Sequence, residues 1–515
     1  MAKMQSVMGH DFSRVPRADI PRSKFRRDHG YKTTLDAGYL VPVYVDEALP
    51  GDTFTMDMAA FGRLATPIHP ILDNVFLDTF FFAVPVRLLW DNWVRFNGEQ
   101  TDPDDSTDYL VPQVTIPVGG IPVASLGDYF GLPTEVDIEP VNALHFRAYN
   151  LIYNEWFRDQ NLIDSVPVNT GDGPDDPNDY QLLRRGKRHD YFTSCLPWPQ
   201  KGEAVNLPLG TQAPVTTTAA FGQIVTVEHT NGNTYRLDSG DSFLNVGTTV
   251  SGGELPLYAD LSEATASTIN QLRQAFAIQR LFERDARGGS RYTEIIRSHF
   301  GVVSPDARMQ RPEYLGGGST PINMAAVPQT SETAAGSPQG NLAAYGTVSL
   351  NRHGFNKSFT EHCVIIGLVS VRADLTYQQG IDRMWSRQGR FDFYWPALSH
   401  IGEQAVLSKE IYADGSASDQ DVFGYQERYA EYRYKPSKIT GQLRSSYAQS
   451  LDVWHLSQDF ATRPVLNQTF IEENPPIDRV IAVPSEPHFL LDCFFKLTCA
   501  RPMPMYGVPG LIDHF

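Results

Sequence analysis

The stretch Val75–Trp90, VFLDTFFFAVPVRLLW, decides the fold. In an extended chain Val75, Leu77 and Phe81 point to one side and Phe76, Phe80 and Phe82 to the other. Asp78 and Thr79 are the only polar residues before Ala83, so the run is apolar on both faces. β-branched and aromatic residues at this density predict a strand covered on both sides. Pro85 and Arg87 interrupt it well short of the ~20 apolar residues a membrane helix needs.

Such a strand requires equally apolar partners. Cys363–Arg372 (CVIIGLVSVR) reads as one, with Gly367 at a bulge or close approach. Phe489–Thr498 (FLLDCFFKLT) places Phe489, Leu491, Cys493, Phe495 and Leu497 on one face. A sheet uniting these three must close over very long connections. High contact order of this kind fits a barrel or sandwich interrupted by excursions rather than a string of independent domains.

Composition agrees with an all-β core. Length alone, 515 residues, would suggest about three domains, a prior that β barrels with insertions exceed. Hydrophobic content of 41% is ample for a large core, and Gly 40 with Pro 36 indicates many turns and long loops. Cys195, Cys363, Cys493 and Cys499 form no CxxC pair and read as reduced, buried thiols, which suits a reducing compartment such as a cytoplasm. The N-terminus shows no apolar signal-peptide core, and no stretch reaches membrane-spanning length.

The net charge of −17 argues against a surface that coats nucleic acid throughout, yet it hides an asymmetry. Residues 1–32 hold eight bases, Lys3, Arg14, Arg17, Arg22, Lys24, Arg26, Arg27 and Lys32, against Asp11, Asp19 and Asp28. The N-terminal arm is therefore +5 and the remainder −22. A basic arm on an acidic body is a pattern for contact with nucleic acid, and the Lys-Phe-Arg-Arg spacing suits backbone phosphates. The plainer alternative is a solvated tail.

In order, residues 1–35 read as this extended arm, ordered only if something holds it. Residues 36–200 begin the β framework: Tyr39–Val45 alternates, Pro50-Gly51-Asp52 turns, and Thr53–Phe61 returns. A helix is predicted over Pro140–Gln160, with Leu144, Ala148, Leu151, Ile152 and Trp156 on one face. The acidic loop 169–180 does not match the EF-hand spacing and reads as solvated, with no metal. Residues 201–268 are rich in Thr, Gly and Pro and poor in charge, a surface excursion containing a hairpin turned at Asn231-Gly232. In 269–350, helices are expected over Thr268–Arg284 and Arg291–Phe300, the second capped by Ser290, followed by a long loop or arm over 316–346. Residues 351–515 complete the β framework.

Several stretches then carry a resemblance: Val15–Thr34 (VPRADIPRSKFRRDHGYKTT), Gly38–Phe54 (GYLVPVYVDEALPGDTF), Val422–Gln442 (VFGYQERYAEYRYKPSKITGQ) and Cys499–His514 (CARPMPMYGVPGLIDH). Together they resemble the major capsid proteins of the gokushoviruses, a branch of the microviruses, small icosahedral single-stranded-DNA phages. The likeness spans most of 10–200 and 269–515 and is weakest over 201–268, where that family varies. It implies an eight-stranded antiparallel jelly-roll barrel with large loop and helical insertions, sixty copies forming a T=1 shell around circular single-stranded DNA. It further implies an internal scaffolding protein during assembly, minor capsid and DNA-binding virion proteins as partners, and assembly in the bacterial host cytoplasm. The 201–268 counterpart forms threefold protrusions, so its hairpin residues Glu228, Asn231, Gly232, Asn233 and Tyr235 are the expected contacts to a host cell-surface receptor. No membrane partner and no cofactor are expected.

One further motif stands out. Tyr425, Tyr429, Tyr432 and Tyr434 interleave with Arg428, Arg433, Lys435 and Lys438. This pattern can stack bases and neutralise phosphates, can form an inter-subunit contact, or can pack within the subunit. Catalytic readings fare poorly. No GxSxG, HExxH or P-loop pattern occurs, and His189-Asp190 near Cys195 lacks a third orienting group. A glycan-binding or glycoside-hydrolysing β protein is the alternative, needing two carboxylates roughly 5–9.5 Å apart across a cleft.

Overall fold

The computed structural model describes residues 21–506 except 203–204, 206–214, 217–224, 229–233, 240–243, 250–254, 257, 260–268, 304–309 and 336–337. The chain divides into two compact units, Met1–Trp198 with Val302–Phe515, and Pro199–Gly301.

The larger unit is built on two antiparallel sheets. Its principal strands are β1 (Ser23–Arg26), β2 (His29–Leu35), β3 (Val41–Ala48), β4 (Thr53–Leu64), β5 (Val75–Pro85), β6 (Glu313–Pro321), β7 (Asn323–Pro328), β8 (Leu342–Ser358), β9 (Cys363–Ala373), β10 (Glu403–Leu407), β11 (Val422–Glu427) and β12 (Phe489–Arg501). One sheet runs β1–β12–β4–β8–β7, with β2 also on β12; the other runs β6–β5–β9–β3. Their inner faces share one core. Phe54, Met58 and Leu64 of β4 with Phe495 and Leu497 of β12 meet Leu77 and Phe81 of β5 with Ile365 and Val369 of β9.

The opening stretch sits at the centre. β5 pairs with β9 along its whole length, from Val75↔Ala373 to Pro85↔Cys363. Every residue of β9 is buried, whereas β4 and β12 alternate strictly and show water one face. The second apolar face of β5 and β9 (Phe82, Val84, Val364, Ile366, Leu368) is covered within the subunit by Trp90 and by helix α1 (Leu144–Ile152). Gly367 leaves room for a ring: a Cβ there would fall 2.6 Å from Phe81 Cε1, and the register with β3 shifts at this residue.

Four expectations need correction. The Phe489–Thr498 strand joins Val75–Pro85 across the core, from the opposite sheet, and not by hydrogen bonding. The 316–346 segment is largely strand: β6 pairs with β5, and β7 with β8. Its glycines suit a close approach of the two sheets rather than a loop, since a Cβ at Gly316 would lie 2.4 Å from the Gly354 carbonyl oxygen. Helix α1 starts at Leu144, not Pro140, because Val141–Asn142 pairs with Gln113–Val114 and the Asn142 side chain accepts from the Leu144 N–H at 2.9 Å. The cap expected at Ser290 falls on Arg291, whose N–H donates to Glu294 Oε2 at 3.2 Å.

Two buried ionic clusters fasten loops to this frame. The fully buried Arg147 of α1 donates from Nε and Nη2 to Asp175 at 2.7 Å each, and from Nη1 to the Leu89 carbonyl at 2.9 Å. Asp175 also accepts from Tyr180 and Asn169. The acidic loop is therefore not merely solvated, and Asp172 likewise accepts from Trp90 Nε1 at 2.7 Å. On β5, Asp78 binds Arg372 of β9 at 2.8 Å and Arg185 at 2.7 Å.

The smaller unit contains an antiparallel hairpin of Val225–Glu228 with Thr234–Ser239, in the register Thr234↔Glu228 and Tyr235↔Val227. Two helices follow, α2 (Ile269–Gly288) and α3 (Tyr292–Phe300), joined through a 2.7 Å contact of His299 Nε2 with Asp285. Gly289 and Gly301 take the left-handed conformation that ends each helix.

Burial pushes the Asp175 carboxyl up, but the Arg147 guanidinium and the Tyr180 hydroxyl outweigh it and hold it below the usual range. Asp78 is lowered too, burial being outweighed by Ser319 and the two arginines. A carboxyl lowered in the folded state contributes stability above its unfolded pKa of about 4 and loses it as pH falls through the folded value. Resistance to urea is thus expected to hold near neutrality and to fall below about pH 4. Asp175→Asn leaves Arg147 buried without a counter-charge and lowers stability by about 3–5 kcal/mol at pH 7, with a smaller further loss in acid. Urea midpoints across pH check this, and an unchanged acid limb in the variant refutes it.

Candidate assembly and nucleic-acid surface

The Tyr/Arg motif hangs on a small hairpin, β10 with β11, paired from Glu403↔Glu427 to Leu407↔Val422. A third core fixes that hairpin, with Val406, Phe423 and Ala430 against Tyr191, Phe192, Cys195 and Phe470. Tyr425 and Leu196 exchange backbone hydrogen bonds of 2.8 Å in each direction. After β11 the chain reverses through Tyr429, which stands at φ 63 with its N–H donating to Gln404 Oε1 at 3.1 Å. Ser437–Lys438 then runs parallel to Thr376–Tyr377.

The motif does not face one way. Tyr429 is buried and Tyr425 half-buried, whereas Tyr432, Arg433, Tyr434, Lys435 and Lys438 are exposed. Two of its four cations, and two of the neighbouring segment's arginines, are neutralised inside the subunit. Arg433 pairs with Glu427, Lys438 with Asp382 at 2.7 Å, Arg387 with Glu431 at 3.3 Å and Arg383 with Glu410 at 3.1 Å. Burial raises the Glu410 carboxyl despite Arg383, and Tyr191 donates to it at 2.8 Å.

Against this motif lies a segment not singled out from the sequence, Ile381–Ile401. Trp385 is 75% exposed and Phe391 63%, and Phe393, Tyr394 and Trp395 are exposed beside them. Tyr394 packs on Tyr429 and Tyr432 at ring distances of 5.2 and 6.2 Å, and the Arg387 guanidinium lies 4.3 Å from the Tyr432 ring centroid. The signal was available: RMWSRQGRFDFYW interleaves aromatic and basic residues as the motif itself does. A contiguous exposed aromatic patch rimmed by charge marks a surface that binds another macromolecule.

The described part of the arm is held rather than free. β1 pairs with β12 from Ser23↔Arg501 to Arg26↔Thr498, and β2 continues along the same strand. Arg22 donates to Thr53 at 2.6 Å, Arg26 pairs with Asp28 at 2.7 Å, and Lys32 with Asp492 at 3.1 Å. Arg27 makes two bonds to Asp46, of 2.6 and 3.1 Å. Lys24 is exposed on β1. Arg14 and Arg17 lie outside the described residues, as do Asn231, Gly232 and Asn233 of the hairpin expected to meet a host receptor. Glu228 and Tyr235 sit on its paired strands.

The nucleophile reading fails on burial. Cys195 is buried with Sγ directed to the Tyr191 carbonyl at 3.3 Å, and burial pushes its thiol well above the ordinary value. Among the described residues, no group of three or more His, Cys, Asp or Glu could hold a metal ion.

A two-sheet framework with an exposed aromatic surface defines a protein that works by binding other macromolecules. The family model described as "Capsid protein (F protein)" matches residues 13–511. The chain is 52% identical to capsid protein VP1 of Bdellovibrio phage phiMH2K, over 98% of each chain. It is 46% identical to capsid protein VP1 of Chlamydia phage 1 and 40% identical to that of Spiroplasma virus 4, each over 99% of both chains. The chain belongs to this family of phage capsid proteins. It is a structural protein of the virion capsid, not an enzyme, and it assembles with other subunits.

If the exposed aromatic patch is buried between subunits, Trp385→Ala combined with Tyr432→Ala leaves the subunit folded but weakens assembly by about 2 kcal/mol or more. Sedimentation velocity checks the assembled fraction. An unchanged fraction removes the patch from the interface.

Proposed function

We propose that this chain is the major capsid protein of a gokushovirus-like phage, with sixty copies forming a T=1 shell around circular single-stranded DNA. The observation that carries the reading is the nested strand pairing: β2 with β12, β3 with β9, β4 with β8 and β5 with β6. With β1, β7 and the β10–β11 hairpin set aside, first pairs with last, second with second-last and so on inward, the pattern of a long hairpin rolled into a jelly roll. These eight strands fall into two sets of four, β2–β12–β4–β8 and β3–β9–β5–β6, which supports the eight-stranded reading. Shell assembly takes place in the bacterial host cytoplasm with an internal scaffolding protein, and minor capsid and DNA-binding virion proteins join the particle. The patch around Trp385 and Tyr432 is a subunit contact, supported by its exposed rings and neutralised cations.

The basic arm meets the DNA. Because Arg22, Arg26, Arg27 and Lys32 already have protein partners, Arg14, Arg17 and Lys24 carry most of the contact. The decisive experiment is sedimentation and nuclease protection of the purified protein. A particle far larger than one chain with protected single-stranded DNA is expected; a permanent monomer that cleaves a polysaccharide would overturn the reading in favour of a glycoside hydrolase. Within such particles, Arg14→Gln, Arg17→Gln and Lys24→Gln together lower the packaged DNA per shell, whereas Arg27→Gln mainly destabilises the subunit by freeing Asp46. Absorbance ratios of purified particles distinguish these outcomes, and undiminished DNA in the triple variant counts against the arm.

The 201–268 segment contacts the host receptor, through the hairpin carrying Glu228, Asn231, Gly232, Asn233 and Tyr235. Its support is a charge-poor composition and its place in a separate compact unit. Deleting 201–268 is expected to permit assembly and to reduce adsorption to the host. Failed assembly with normal adsorption by residual particles would refute this.

A further inference from the structure

Between the Arg383–Asp392 segment and the β10–β11 hairpin lies a cavity of about 440 Å³. Its wall includes Arg383, Arg387, Phe391, Lys409, Arg428 and Tyr429. The charges in it are unevenly matched. Glu410 and Glu431 neutralise Arg383 and Arg387, and Asp392 is occupied by the N–H groups of Gly389 and Gln388 at 2.7 and 2.9 Å. Arg428 has no carboxylate within ion-pair distance among the described residues; its one polar contact is a long 3.5 Å bond from Nη2 to the Phe391 carbonyl. Buried Nε–H groups of both Arg387 and Arg428 lack acceptors.

The Arg428 guanidinium, which lines the cavity with its terminal nitrogens almost unmatched, calls for an anion with several acceptor oxygens. A phosphate meets that need better than water because its bonds are charge-assisted. The exposed ring of Phe391 on the same wall offers a flat apolar face, which a nucleobase uses and a bare carboxylate does not. The volume lies within the range of small-ligand sites and suits a single nucleotide unit rather than a duplex.

We infer that this cavity holds one nucleotide of the enclosed strand, its phosphate on Arg428 and Arg387 and its base against Phe391. The inference rests on the reading that the shell encloses single-stranded DNA, and it assigns to Arg428 and Tyr429 a role different from that of the exposed Tyr432 and Trp385.

The test uses dissociated full-length subunits and a short fluorescein-labelled oligothymidylate, titrated at several salt concentrations. Arg428→Gln is expected to weaken binding about tenfold and to reduce the salt slope by about 0.7. Arg428→Lys keeps the charge and restores the slope, but not the full affinity, because the planar guanidinium fork is gone. Phe391→Ala weakens binding about tenfold with the slope unchanged. Arg390→Gln, whose guanidinium rests 4.6 Å from the Trp395 ring outside the cavity, stays within about twofold of the parent. Equal binding by parent, Arg428→Gln and Phe391→Ala overturns the cavity assignment while leaving DNA enclosure intact. Normal oligonucleotide binding by Arg428→Gln with lost subunit assembly also overturns it, in favour of an acidic side chain from a neighbouring subunit. A parent that binds no oligonucleotide overturns the DNA-enclosure reading itself, and the cavity assignment with it.

Discussion

Everything in the larger unit depends on covering β5 and β9 twice. Two adjacent strands, hydrogen-bonded over eleven residue pairs and apolar on both faces, cannot leave either face in water. At roughly 25 cal/mol per Å² of apolar surface, an uncovered Phe82 or Ile366 would each forfeit about 1.5–3 kcal/mol. One cover is the facing sheet of β4, β8 and β12. The other is not a sheet but helix α1, Trp90 and the loops around them, all drawn from the long excursion that separates β5 from β6. The first part of that excursion, residues 86–183, is thus part of the core and not an ornament upon it.

A core closed by loops has to satisfy their backbone groups, and the buried polar side chains do this. Arg147 binds the Leu89 carbonyl as well as Asp175, and the Tyr149 hydroxyl donates to the Leu40 carbonyl while accepting from the Leu183 N–H. Asp78 joins β5 to β9 and to Arg185 of the loop beyond. Replacing such clusters with apolar residues can leave stability unchanged or improved, so their contribution is better seen as choosing one arrangement of loops. Breaking one partner, by contrast, strands a charge.

The same economy of pairing explains how readable the functional surface was. Basic residues in the arm and in the Tyr425–Lys438 motif stand out in the sequence, where each looks like a free cation. In the fold Arg27 reaches Asp46, Lys32 reaches Asp492, and Arg433 reaches Glu427, partners that are distant in sequence for the first two and close for the third. Local spacing could not separate a neutralised arginine from an available one. It could have found Ile381–Ile401, since that segment has the same aromatic and basic interleaving; what it could not supply was the packing of Tyr394 on Tyr429 that makes one surface of the two.

By itself the sequence determined the all-β core, the two-sided burial of Val75–Val86, the burial of Cys363–Arg372, the one-sided alternation of Phe489–Thr498, and the family. Those follow from period and composition, which every residue reports locally. Only the tertiary structure decided that Phe489–Arg501 faces Val75–Pro85 across the core instead of pairing beside it, that the glycine-rich 316–318 run is strand, and that Arg428 has no carboxylate within ion-pair distance among the described residues. Each of these depends on which distant backbone or charge comes within a few ångströms, and on no property of the residues taken one at a time.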